Sequence, residues 1–210
     1  MIFKEVLFEA VNVEKLYKTQ MNGMNDISIS EYNPITFSSV YKEEVRADGL
    51  HKEFIRSYLE SAKILSERLE ELEKPRMGIM KVFYNYSLTL PIIYLCRHCL
   101  ELSIKYEISR IYGQPKAVHG LDKIWSSFLS YLPENYSGKE RSLLKGMGSF
   151  VQNINLLDDT GTKLRYPLEK DGTCTQNKFL WANSKLIVST TEKFVKQLEV
   201  IDIDNIKCNN

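Results

Sequence analysis

The sequence predicts an all-α protein, an antiparallel bundle of about five helices with a short N-terminal β-like arm. Apolar residues recur at spacings of three and four from Leu50 onward, which is the period of amphipathic helices. Pro75, Gly113 and Pro133 interrupt this pattern between the segments. The 210 residues, 43% hydrophobic and 26% charged, have the composition of a soluble globular protein. A chain of this size can bury about 70% of its unfolded surface in one core.

The first 45 residues have a different pattern from the rest of the chain. Short β-like runs at 27–29 and 35–37 alternate with the breakers Asn22-Gly23 and Asn33-Pro34. We therefore assign residues 1–45 to an N-terminal arm or small hairpin, 46–205 to the helical bundle and 206–210 to a disordered tail.

Each helix of the bundle is predicted from its periodicity and its end signals. A long amphipathic helix begins near Leu50 and ends before Pro75. A second runs from Ile79 to Tyr112, and Pro91 is expected to bend or split it. Three further helices are expected at about Leu121 to Tyr131, Lys139 to Leu157 and Leu180 to Val200.

Charge and cysteine content exclude several classes of function. The formal net charge of +1 gives no general attraction to nucleic acid or anionic membranes, so any anion site must be local. No apolar run reaches the ~20 residues of a membrane span, so we expect no membrane contact. Four unevenly placed cysteines fit a reducing cytosol and the N-terminus does not resemble a signal peptide, so we expect a cytoplasmic protein. Cys96 and Cys99 lack two further ligands for a zinc site, so we interpret them as packing residues and predict neither metal nor cofactor.

The second long helix carries a narrow polar strip on a mostly apolar circumference. Arg97, Glu101 and Lys105 lie one turn apart, and His98 falls within the same arc of about 100°. In one interpretation the strip is a solvated row of ion pairs. In the other it is a polar cleft in which the two cations bind an anion, His98 transfers protons and Glu101 orients them. Either way, we expect Arg97 and Lys105 to be more exposed than the apolar positions Leu95, Cys99, Leu102 and Tyr106.

Two further segments carry candidate functional residues. His119 lies at the start of a predicted helix, where free amides and the helix dipole favour anions. Arg165 and Tyr166 precede Pro167 in a long polar loop, which favours an extended backbone there. We expect this loop to fold back onto the polar strip, with Arg165 close to Glu101 or His119.

The order of these motifs resembles a branch of the HEPN superfamily over about residues 79–200. The matching elements are Arg97-His98-x-x-Glu101-Leu102-x-x-Lys105, His119-x-Leu121 and the Arg-Tyr-Pro loop. The resemblance implies an all-α, commonly dimeric bundle from bacterial toxin-antitoxin, abortive-infection or antiviral systems. Many members are metal-independent ribonucleases. Those members carry Arg followed by four to six residues and then His, whereas Leu102, Ser103 and Ile104 occupy these positions here.

The resemblance implies a protein that acts on RNA, including as a metal-independent ribonuclease. The catalytic set would then be Arg97, His98, Glu101 and His119, and the substrate-binding set Lys105, Arg165 and Tyr166. The alternative is a non-catalytic module of the same fold that binds a nucleotide or a partner protein and forms a homodimer. A third possibility is that Arg97, Glu101 and Arg165 form an internal ion-pair network that anchors the long loop.

Overall fold

The computed structural model describes residues 47–73, 79–113, 118–133, 137–175, 182–202 and 206. Five α-helices occupy most of them: α1 Ala47–Glu73, α2 Ile79–Tyr112, α3 Leu121–Leu129, α4 Gly138–Leu157 and α5 Ser184–Glu199. Over these ranges there is no strand, only an isolated bridge between Leu168 and Cys174. The all-α class is therefore confirmed, while the expected arm and residues 207–210 lie outside the described residues. Ile206 is buried.

Helix α2 is the central element and packs against each of the other four helices. It runs antiparallel to α1, because Ile55 clusters with Tyr106 whereas the later residue Leu69 clusters with Ile92. Such packing buries both faces of α2, as its wide apolar circumference requires.

Helix α5 also runs antiparallel to α1 and therefore parallel to α2. Two ion pairs fix its register on α1. Lys63 Nζ lies 2.9 Å from Glu192 Oε1, and Lys185 Nζ lies 3.0 Å from Glu70 Oε1.

The helix ends follow local sequence signals. Helix α2 continues through Pro91 without splitting and is followed by Gly113, whose φ of 114° is one that other residues rarely adopt. Helix α4 begins with a capping box in which Ser137 Oγ accepts a hydrogen bond from Glu140 N and Glu140 accepts one from Ser137 N.

The largest apolar core lies between α2, α3, α4 and α5. It is rich in large side chains that are almost wholly buried, including Leu100, Ile104, Leu121, Ile124, Phe128, Val151 and Phe194. Gly148 lets α4 approach Trp125, since a Cβ at this position would lie 2.8 Å from the indole nitrogen. This core places the start of α3 and the end of α4 beside the polar strip of α2. Across the described ranges, no helix has the length and apolar character that crossing a bilayer requires.

Candidate functional site

Arg97 is at the centre of the polar strip, and the expectation that it would be exposed was wrong. Only 1% of the residue is exposed, less than at the half-buried Leu95 on the same helix. Its guanidinium donates three hydrogen bonds. Nη1 binds Glu101 Oε2 at 2.9 Å, Nε binds the carbonyl of Asp158 at 2.9 Å, and Nη2 binds the carbonyl of His119 at 2.6 Å. Arg97 thereby fastens the start of α3 and the end of α4 to α2.

The other burial expectations for α2 had mixed outcomes. Cys99 and Tyr106 are buried as expected, whereas Leu95 and Leu102 are only half-buried. The side chain of Lys105 retains 18% exposure and is the more accessible cation of the strip. The apolar and polar positions of the helix therefore do not separate cleanly into buried and exposed ones.

A compact turn after α4 covers the Arg97 guanidinium. Asp158 is fully buried, and its Oδ1 accepts hydrogen bonds from the backbone N–H groups of Thr162 at 2.9 Å and Lys163 at 3.1 Å. Its Oδ2 lies 3.4 Å from Arg97 Nε. Gly161 has a φ of 80°, and a Cβ there would lie 3.2 Å from both Nη atoms of Arg97. A glycine therefore suits this position on two grounds, its positive φ and its contact with the guanidinium.

Glu101 links this buried cluster to the surface. Its Oε2 accepts from Arg97, while its Oε1 lies 2.8 Å from Lys105 Nζ and 2.9 Å from His119 Nδ1. Burial alone would favour the neutral acid, but the hydrogen bonds from Lys105, His119 and Arg97 outweigh it and lower the pKa of Glu101. The carboxylate is therefore ionised at neutral pH.

His119 is the exposed member of the cluster, with 69% of its side chain accessible. An ionised Glu101 favours a proton on Nδ1, which leaves Nε2 of the neutral ring as a proton acceptor on the solvent side. The main chain around His119 is held by hydrogen bonds as well. The His119 carbonyl binds Arg97, and the following Leu121 N–H donates to Asn155 Oδ1 at 3.0 Å.

His98 lies on the same helix in a different environment. Its ring is 4.6 Å from the Tyr58 ring in an edge-on contact and 5.9 Å from the Tyr94 ring in a nearly parallel one, measured between centroids. Burial is the main cause that lowers the pKa of His98. The negative charge of Glu101 opposes this shift, and the cations Arg97, Lys105 and Arg165 add to it. His98 is therefore a neutral aromatic ring at pH 7.

The long loop does fold back onto the strip, but through residues other than the expected one. Asp158 and Gly161 contact Arg97, whereas Arg165 Nε donates to the Gly161 carbonyl at 2.9 Å. The expected contact of Arg165 with Glu101 or His119 is not among the hydrogen bonds of these described residues. Arg165 instead lies over the ring of Tyr166, with its Cζ 5.4 Å from the centroid, and both residues are exposed.

Three residues that organise the site were absent from the sequence-based set: Asn155, Asp158 and Gly161. One signal was available, because Asp158-Asp159-Thr160-Gly161 directly follows the last apolar residue of α4 and combines turn-forming side chains with a glycine. Such a turn is common on protein surfaces, however, and its pairing with a buried arginine is visible only in three dimensions.

Cys96 and Cys99 are both fully buried, and burial raises the pKa of their thiols to about 11 and about 12. Within the residues that the structure describes, no three His, Cys, Asp or Glu side chains come together as a metal-binding group.

Comparisons with protein-family models, with curated proteins and with solved structures found no match.

Proposed function

We propose that the chain is a HEPN-like protein that acts on RNA and cleaves it without a metal ion through His119 and Glu101. The observation that carries this proposal is an exposed histidine whose Nδ1 is held 2.9 Å from a buried, ionised carboxylate. This arrangement fixes the tautomer and directs a basic nitrogen towards solvent. The assignment to a bacterial defence or toxin system rests on the sequence resemblance alone.

In the proposed reaction, His119 Nε2 takes the proton from a ribose 2′-hydroxyl group. The 2′-oxygen attacks the adjacent phosphorus and the bond to the 5′-oxygen breaks. The leaving 5′-oxygen takes a proton from solvent water, so the products are a 2′,3′-cyclic phosphate and a 5′-hydroxyl end, and the protonated His119 returns its proton to solvent. Lys105, next to His119 on Glu101, stabilises negative charge on the phosphorane oxygens. The other cation of the cluster takes no direct part, because Arg97 is buried and its guanidinium binds protein oxygens.

This internal use of Arg97 also favours a second candidate function, a non-catalytic module that binds a nucleotide or a partner protein and forms a homodimer. Within one chain, the cluster presents only one exposed histidine and one partly exposed cation to a ligand. These groups suffice to bind a phosphate, whereas general acid and general base catalysis together use two proton-transfer groups.

The experiment is cleavage of total RNA by purified protein in the presence of a chelator. His119→Gln removes the basic nitrogen but keeps the backbone carbonyl that Arg97 binds, so the bundle is expected to fold. His51→Gln is a matched control, because His51 is an exposed histidine on α1 that contacts the Tyr106 ring. We expect the His119 variant to lose about 100-fold or more in rate and the His51 variant to lose none.

The two candidate functions give different results in this experiment. Cleavage that is equal in wild type and His119→Gln would refute the role of this histidine. Absence of cleavage by the wild type, with retained RNA or nucleotide binding, would favour the non-catalytic module. Light scattering on the same preparations measures whether the protein is a homodimer.

A further inference from the structure

Helix α2, which carries Glu101, also contributes to an aromatic surface. The Tyr94 and His98 rings are nearly parallel, with an interplanar angle of 7°, and both residues remain partly exposed. Tyr58 from α1 packs edge-on against the same imidazole at 87°, which holds its plane in place. We refer to Tyr58, Tyr94 and His98 as the aromatic platform.

The platform lies on the same face of α2 as the proposed catalytic group. At 100° per residue, Tyr94, His98, Glu101 and Lys105 fall within an arc of about 60°. His98 and Lys105 are seven positions apart, which corresponds to about 10 Å along the helix axis. One extended ligand can therefore contact both the platform and Lys105.

A further cation and a further exposed ring, Arg165 and Tyr166, follow the turn whose Gly161 contacts Arg97, the residue before His98. The positive charge of Arg165 also contributes to the lowered pKa of His98. The position of the Arg165 guanidinium is fixed by the hydrogen bond to the Gly161 carbonyl and by the ring of Tyr166, which is 55% exposed. Flat aromatic rings beside a cation match the chemistry of a nucleotide, which has a planar base and an anionic phosphate.

We propose that Tyr94 and His98 form a stacking subsite for an unpaired base of the RNA, with Arg165 bound to an adjacent phosphate. This inference rests on the proposed function for the identity of the ligand, but it adds a binding role that is separate from cleavage. It also gives His98 a function other than proton transfer, because the part of its ring that Tyr58 and Tyr94 leave exposed is a flat aromatic surface that a base can contact.

The test is equilibrium binding of an eight-nucleotide, fluorescein-labelled RNA that carries 2′-O-methyl groups throughout. Such a probe lacks the attacking hydroxyl and cannot be cleaved by the proposed reaction. A second probe has the same methylated sugar-phosphate chain with all eight bases removed. Dissociation constants are measured by fluorescence anisotropy over a range of salt concentrations.

The variants separate stacking from charge and from folding. Tyr94→Leu is expected to weaken binding of the base-bearing probe about tenfold, whereas Tyr94→Phe, which keeps the ring, changes it less than about twofold. The dissociation constant of the base-free probe is expected to be the same for wild type and Tyr94→Leu. Tyr112→Leu is the matched control, since Tyr112 is an exposed tyrosine near the other end of α2. If Tyr94→Leu does not fold, His98→Asn provides the same comparison with the base-free probe.

The outcomes also distinguish this inference from the proposed function. A protein that cleaves RNA yet binds the two probes equally, in wild type and ring-loss variants, overturns the subsite and leaves the proposed function in place. A second outcome is that Tyr94→Leu weakens binding of the base-bearing probe while the protein does not cleave ordinary RNA. This outcome supports the subsite and refutes the proposed nuclease activity. Loss of binding to both probes in Tyr94→Leu also overturns the subsite, because it shows that the ring does not act through a base.

Discussion

Replacing Arg97 by methionine is expected to destabilise the bundle by about 4 kcal/mol, because breaking a buried ion pair from one side commonly costs about 3–5 kcal/mol. Methionine fills part of the same volume but donates no hydrogen bond. The carbonyl oxygens of His119 and Asp158 lose their charged donor, and the buried Asp158 carboxylate loses the cation that lies 3.4 Å away. Glu101 keeps its hydrogen bond to Lys105 and is affected less.

The size of this effect follows from the burial of the partners. The side chain of Arg97 is 2% exposed and that of Asp158 is 0% exposed, so water cannot replace the missing guanidinium. For a protein of this size, a loss of about 4 kcal/mol lowers the melting temperature by about 8–16 °C. An exposed ion pair of the same type is expected to contribute only about 0–1 kcal/mol.

The assay is urea unfolding of wild type, Arg97→Met and the control Arg68→Met. Arg68 pairs with Glu71 at 2.8 Å, but both side chains are 60% exposed, so its loss is expected to change stability by about 0.5 kcal/mol or less. Hydrogen exchange should show lost protection in residues 158–163 of the Arg97 variant. The reasoning would be refuted if the two variants were equally stable, or if the protection of that turn did not change.

Two further predictions concern a glycine and a buried acid. Gly161→Ala is expected to cost about 2–3 kcal/mol in thermal unfolding, against about 1 kcal/mol for Gly172→Ala, because both have a positive φ but only Gly161 is pressed against Arg97. Burial raises the pKa of Glu107 from 4.5 to about 7, and its ion pair with Arg110 only partly offsets this. The folded state thus keeps a proton that the unfolded state has lost, so stability falls by up to about 3 kcal/mol as the pH rises through that range. Urea unfolding should give a lower free energy of unfolding at pH 8 than at pH 5 for wild type, and not for Glu107→Gln. An equal change between the two pH values in both proteins would contradict the prediction.

Much of the helical framework could be predicted from the sequence because it depends on local signals. The bounds of α2 at Ile79 and Tyr112 were predicted, and α4 was placed to within one residue of its start. Periodicity and a glycine after the last turn determine such boundaries locally. The predicted end of α3 was less accurate. The helix ends at Leu129 rather than at Tyr131, and the following residues form a turn.

The environment of the polar strip could not be predicted in the same way. A helical wheel places Arg97 on the polar arc of α2, but it does not show whether water or protein covers this polar arc. Here Asp158 and Gly161 cover it, from a turn that is 61 positions away in the sequence. Two of the three acceptors of the guanidinium are backbone carbonyls, and these groups are present at every residue and carry no sequence signature.

The same use of carbonyl oxygens has a consequence for how a protein of this type can diverge. Arg97 binds residue 119 only through its main chain, so the fastening of α3 does not depend on which side chain stands at that position. Substitutions at 119 can therefore abolish, alter or replace the chemistry at the surface while the frame beneath is preserved. Position 158 is more restricted, because its carboxylate also organises the covering turn. Related sequences can thus exchange the exposed histidine for another residue, or regain it, while the bundle keeps its fold.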